Sequence, residues 1–200
     1  MDQRKSNQKI KKMARIVRIV FKITFWISVA AVVVLPLLLI GVQFLPEAYL
    51  MSSQLHNGGL YLTLDGLLRY RISNDMLMDV SIKPVIDALL LMSAVVSIGL
   101  AILSRKMSQI LSTVENDTPF EKENAKRLSS LGWLLIIGSF IYQLANAYVA
   151  MAMIDTFGIY NLDVVIGVDN AMIITGLILL ILSGVFRYGS YLQDEYDSTL

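Results

Sequence analysis

Four stretches of about twenty residues, almost free of charge, constrain this chain more than any other feature: about 23–45, 84–103, 128–154 and 165–186. The hydrocarbon core of a bilayer is about 30 Å thick and a helix rises about 1.5 Å per residue, so ~20 apolar residues suffice to cross it. Only Asp87 in the second stretch and Asp169 near the start of the fourth interrupt the pattern. In lipid the backbone must satisfy its own hydrogen bonds, and continuous rather than alternating apolar runs do so as helices. The sequence therefore predicts an all-α membrane protein, a four-transmembrane-helix bundle forming one membrane domain over residues 1–200. A content of 56% hydrophobic residues leaves too little polar surface to cover a water-soluble globule.

The charges are nearly balanced, 17 Lys and Arg against 16 Asp and Glu, but the cations are unevenly placed. Eight of them, from Arg4 to Lys22, precede the first span, and Arg105, Lys106, Lys122, Lys126 and Arg127 lie in the segment 104–127. The segments 46–83 and 155–164 hold only Arg69, Arg71 and Lys83. Basic flanks are retained in the cytoplasm, so both termini, the loop 104–127 and the tail 187–200 are expected there, with 46–83 and 155–164 as outer loops. The expected location is a cell membrane, crossed several times. The first apolar run is too long for a signal peptide and is expected to remain as an anchor, kinked at Pro36. Ile10, Met13, Val17 and Val20 recur on one helical face among the basic residues, which suits a helix at the lipid headgroups.

In the first outer loop, Asp65-Gly66 stands between the β-prone runs Leu60 to Thr63 and Leu68 to Ile72, a sequence that predicts a small extracellular β-hairpin. Either a sensor or a structural cap would fit it. In the cytoplasmic loop, Thr118-Pro119-Phe120-Glu121 reads as a helix start, with Thr as N-cap and Pro at the first helical position, running unbroken into the third span.

Helices in lipid gain little from burying apolar surface against one another, so small and hydrogen-bonding residues mark their contacts. Ser129, Gly132, Ile136, Ser139, Gln143, Asn146 and Ala150 form one stripe on the third span, and Asp169, Gly176, Ser183 and Ser190 recur at sevens on the fourth. Ser93, Ser97 and Ala101 mark the second. Asp87, Gln143, Asn146, Asp169 and Asn170 would fall in the outer half or middle of the membrane, where they are the candidates for a polar site. Lys83, one turn before Asp87, is the expected ion-pair partner of that acid.

No glycine-rich phosphate loop, His-Glu-x-x-His, nucleophile elbow or carboxylate cluster is present, and the chain has one histidine and no cysteine. No catalytic residue, cofactor or metal ligand is expected. Inverted repeats that would point to a transporter are also lacking.

Pro119-Phe120 followed by Asn124, Arg127, Leu128 and Gly132, and then Phe186, Gly189, Leu192-Gln193, Glu195 and Asp197, resemble the domain of unknown function 2975 family of bacterial membrane proteins. The resemblance implies four spans, no enzymatic activity, and a gene context that often includes a small cytoplasmic helix-turn-helix regulator. It places both motifs at the cytoplasmic ends of spans three and four. Phe120, Glu121, Asn124, Arg127, Gln193, Glu195 and Asp197 are thus the candidate docking residues for such a regulator. The expectation is a regulatory or sensory membrane protein that binds no nucleic acid itself. An immunity or envelope-stress factor acting directly in the membrane is the alternative, and a small-molecule permease a weaker one.

Overall fold

The computed structural model describes residues 2–51, 61–64, 68–71, 80–159 and 163–198. Four long helices dominate: α1 Asp2–Gln43, α2 Lys83–Glu115, α3 Lys122–Phe157 and α4 Asn170–Ser198, with a short 3₁₀ turn at Glu47–Leu50. Each is long and apolar enough to cross a membrane. The shortest, α4, has 29 residues and extends about 44 Å at 1.5 Å per residue, so every helix exceeds the ~30 Å hydrocarbon core and carries ends that reach water. Large apolar side chains such as Trp26, Leu37, Ile137 and Ile181 are exposed, a distribution that suits lipid as the surrounding solvent. Pro36 is accommodated within α1.

The strands β1 (Tyr61–Leu64) and β2 (Leu68–Arg71) pair antiparallel, with Tyr61 opposite Arg71 and Leu64 opposite Leu68. The turn Asp65-Gly66 lies outside the described residues. Met51 and Ser81 form a separate antiparallel bridge.

The chain divides into two compact units. One comprises Met1–Val32, Val96–Tyr142 and Val168–Leu200; the other comprises Val33–Val95 and Gln143–Gly167. In the first unit α3 and α4 run antiparallel along a seam of small residues. Ser183 Oγ donates to the Ala125 carbonyl at 2.8 Å, Gly132 lies against Gly176, and Ser139 Oγ donates to the Asp169 carbonyl at 3.4 Å. Each seven-residue advance on α3 thus matches a seven-residue retreat on α4. A Cβ on Gly132 would meet the Gly176 carbonyl oxygen at 2.8 Å, and one on Gly176 would meet that of Gly132 at 2.8 Å, so no larger residue fits either position without a shift. Ile110, Leu128 and Leu131 form the buried apolar cluster of this unit, with Leu179 and Phe186 packed on it. In the second unit the corresponding cluster is Val85, Phe157 and Ile159.

Two expectations require correction. Helix α3 begins at Lys122 rather than Pro119, because residues 118–121 close a turn in which the Glu121 amide donates to the Thr118 carbonyl at 3.3 Å. Helix α2 continues to Glu115, well into the segment 104–127 that separates the second and third apolar stretches. Helix α4 starts at Asn170 rather than near 165, because Asp169 caps it: its Oδ1 accepts from the Met172 amide at 3.0 Å.

Candidate functional site

The two motifs of the C-terminal half meet in space. Phe120 lies against Gly189, where an added Cβ would stand 2.8 Å from the ring, and its centroid is 5.3 Å from that of Phe186. Lys122 and Asp194 form an ion pair of 2.5 Å between the start of α3 and the last turns of α4. Ser190, seven residues after Ser183, is buried on the same side of α4. Gly189 is required here for close approach, since any side chain would displace the Phe120 ring.

What holds the α2–α3 connection in place is a dense set of hydrogen bonds. Helix α2 ends with Asp117 in the left-handed region at φ 63°, while the Thr118 amide donates to the Thr113 carbonyl at 2.9 Å and the Asp117 amide to the Val114 carbonyl at 3.4 Å. This is the Schellman arrangement, which satisfies the last carbonyls of a helix. Asn124, fully buried at 0% exposure, then ties the turn together. Its Nδ2 donates to Thr113 Oγ1 and to the Pro119 carbonyl, and its Oδ1 accepts from Arg127 Nη1 at 2.7 Å.

Asn124 is therefore a structural lock rather than a docking residue, because its hydrogen-bonding capacity is turned inward. Arg127 is half-buried and committed to it. The remaining candidates divide differently: Glu121, Gln193 and Glu195 are exposed, and Phe120 keeps 42% of its surface exposed despite its contacts. The Asp197 side chain lies outside the described residues. An open groove of about 360 Å³ lies at this place, lined by Thr118, Phe120, Glu121, Ser190, Gln193 and Asp194, with Lys122 and Glu123 completing it. Glu123 is hydrogen-bonded to Lys126, which together with the charge of that lysine holds its carboxyl below the usual carboxylate range.

Beside the connection, the basic start of α1 is tied to the end of α2. Lys11 pairs with Asp117, Arg15 with Glu115 at 2.6 Å, and Arg18 with Glu115 at 3.1 Å, while Arg18 also donates to Ser112 Oγ at 2.9 Å. The Arg15 hydrogen bond, opposed by burial and reinforced by the charges of Arg18 and Lys22, holds the Glu115 carboxyl below its ordinary value. Part of the basic face thus engages protein acids as well as any lipid headgroup. Sequence spacing offered no sign of this, since ion pairs about a hundred residues apart have no local signature.

The polar candidates of the spans have local roles. Asp87 is not paired with Lys83; Gln43 Nε2, at the end of α1, donates to both carboxylate oxygens at 3.1 Å. Asp169 caps α4, and Asn170 is the exposed first residue of that helix. Gln143 is half-buried and Asn146 exposed, so the stripe on α3 that covers Gly132 and Ser139 is open at Asn146, with Ala147 and Val149 buried instead. Among the described residues no hydrogen bond links Asp87 to Gln143 or Asn146. Gln43 was the residue that sequence reasoning missed; its only signal is that it is the one amide closing the first apolar run.

Four apolar helices, a small-residue seam and a polar groove at one helix end define a four-helix membrane protein. The family model described as protein of unknown function DUF2975 matches residues 78–200, and the chain belongs to that family. No match was found among curated proteins or among solved structures.

Proposed function

We propose that this chain is a non-enzymatic regulatory protein of a bacterial inner membrane, with both termini cytoplasmic, that holds a cytoplasmic helix-turn-helix regulator at the groove formed by residues 118–123 and the end of α4. The orientation rests on the asymmetry of Lys and Arg. The observation that carries the docking reading is the groove itself, which brings together the exposed part of Phe120 with Glu121 and Gln193 from two distant segments. An apolar anchor flanked by acids suits a basic partner surface: the aromatic supplies contact area, while the acids set orientation and rate of encounter. Glu121 and Glu195 lack an ion pair among the described residues and extend that acidic character beside the groove. A basic DNA-binding domain held here would be unavailable to DNA phosphates, and its retention would weaken as salt rises.

The test is capture of the neighbouring regulator in the membrane fraction by wild type, by the Phe120→Ala, Glu121→Lys double variant, and by a chain truncated after Tyr191. Both altered proteins should retain less than a tenth of the bound regulator. If wild type never retains it, and the regulator's target genes respond alike with and without this protein, direct protection of the membrane becomes the leading account.

A further inference from the structure

The small-residue seam between α3 and α4 overruns the start of α3 by one step. Ser139 meets Asp169, Gly132 meets Gly176 and Ala125 meets Ser183, so the same spacing next sets Thr118 opposite Ser190. Helix α3 begins only at Lys122, and Thr118 stands in the turn before it. Where the Ser183 hydroxyl donates to the Ala125 carbonyl at 2.8 Å, the Thr118 carbonyl accepts instead from the Glu121 amide at 3.3 Å. Ser190 is left only 4% exposed, its hydroxyl makes no hydrogen bond among the described residues, and it lines the groove. The groove is thus the vacated last rung of the seam, with an unsatisfied hydroxyl in its wall.

What surrounds that hydroxyl selects the occupant. A volume of about 360 Å³ lies near the lower end for pockets that take small molecules, which admits one side chain and not a helix. Glu121, Glu123 and Asp194 outnumber Lys122 in the lining, so the occupant is a cation. Among the described residues no group of three acids is placed to hold a metal ion, which leaves an organic cation. A lysine ammonium is a compact point charge, whereas a guanidinium is a plane with donors along its edge and faces that stack on aromatic rings. The exposed part of Phe120 offers a surface for such a face, and Glu121, Gln193 and Ser190 offer oxygen acceptors for the edge. Asp194 adds to these, because its pair with Lys122 is exposed at both ends and is cheaply exchanged.

We infer that the groove is a receptor for one arginine side chain of a cytoplasmic protein, with the guanidinium stacked on Phe120 and donating to Glu121 and to Ser190 Oγ. This rests on the reading of the groove as a docking surface and specifies the residue that docks. An apolar side chain would bury the Ser190 hydroxyl without a partner, and an anion would meet like charge. A lysine would answer the charge but leave the ring and the spread of acceptors unused.

The test uses the full chain in nanodiscs of zwitterionic lipid, with binding read by saturation-transfer NMR and empty nanodiscs subtracted. The probes are N-acetyl-arginine amide, N-acetyl-lysine amide and N-acetyl-citrulline amide, the last an uncharged counterpart of arginine. Arginine should bind about fivefold more tightly than lysine and about tenfold more tightly than citrulline. Ser190→Ala should weaken arginine binding about threefold with an unchanged thermal midpoint, and Phe120→Leu should erase the preference over lysine. Equal binding of arginine and lysine, citrulline binding as tight as that of arginine, an arginine affinity unmoved by either substitution, or no arginine signal above empty nanodiscs overturns the proposal. Capture of the regulator without an arginine preference overturns this proposal alone, whereas arginine binding without capture supports it and removes the regulator.

Discussion

The two connections on either side of α3 begin alike and end as opposites. Helix α2 closes on the left-handed Asp117, and α3 closes on the left-handed Gly158 at φ 62°, where the Ile159 amide donates to the Ile154 carbonyl at 3.0 Å. Both helix ends therefore use the same Schellman device. After Asp117 the chain is held by Asn124, by Phe120 on Phe186 and by Lys122 on Asp194. After Ile159 the segment 163–168 makes no hydrogen bond among the described residues. The difference teaches where a connection acquires its shape: the first is held by contacts with α2, α3 and α4, while residues 163–168 of the second have no such tie among the described residues.

Three experiments bear on that contrast. The largest effect is expected for Asn124→Ala, which leaves the Thr113 hydroxyl and the Pro119 carbonyl without the donor that ties the turn and removes a fully buried side chain. A loss of about 2–3 kcal/mol is expected from orphaned buried polar groups, read as a lower midpoint in thermal unfolding in detergent. Asn124→Asp, which keeps the acceptor for Arg127 but not the donor, should recover only part of it. If Asn124→Ala is neutral, the first connection is not held from within.

Gly158→Ala should cost about 1 kcal/mol, because an alanine at φ 62° is strained in the left-handed region. Asp117 already occupies that region, so Asp117→Gly relieves strain while losing the Lys11 pair, and the two terms should nearly cancel. A loss at Asp117→Gly as large as that at Gly158→Ala would show instead that the Lys11 pair far outweighs the strain relieved there.

The smallest effect is that of acid on the tie between α1 and α2. Because the folded Glu115 carboxyl lies below its ordinary value, its contribution is present above the unfolded value of about 4.3 and fades as pH falls through the lower folded one. Amide exchange around Arg15 and Arg18 should therefore accelerate as pH drops below about 4, after correction for intrinsic rates. Glu115→Gln should show fast exchange at every pH. A wild-type profile that stays flat through that window would mean the ion pairs do not hold α1.

Most of the helical architecture was legible because a bilayer imposes a one-dimensional criterion, about twenty apolar residues in a row, that local sequence alone can meet. Heptad spacing of small residues likewise announced the α3–α4 seam, and Gly132, Gly176 and Ser183 occupy it. The candidate site was less legible. Phe120 and Gln193 were marked by resemblance, but the same signal marked Asn124, which the structure turns inward. A residue type cannot say whether its amide faces a partner or its own backbone.

The sequence by itself determined four membrane-capable helices, a glycine-containing seam and the absence of cysteine chemistry, since these follow from composition, period and length. Only the tertiary structure decided that Gln43 rather than Lys83 meets Asp87, that Glu115 collects Arg15 and Arg18, and that residues 163–169 carry no regular structure rather than forming the first turns of α4. Those choices depend on which side chains distant segments bring within about 3 Å, and on a single cap at Asp169 that outweighs five apolar residues before it.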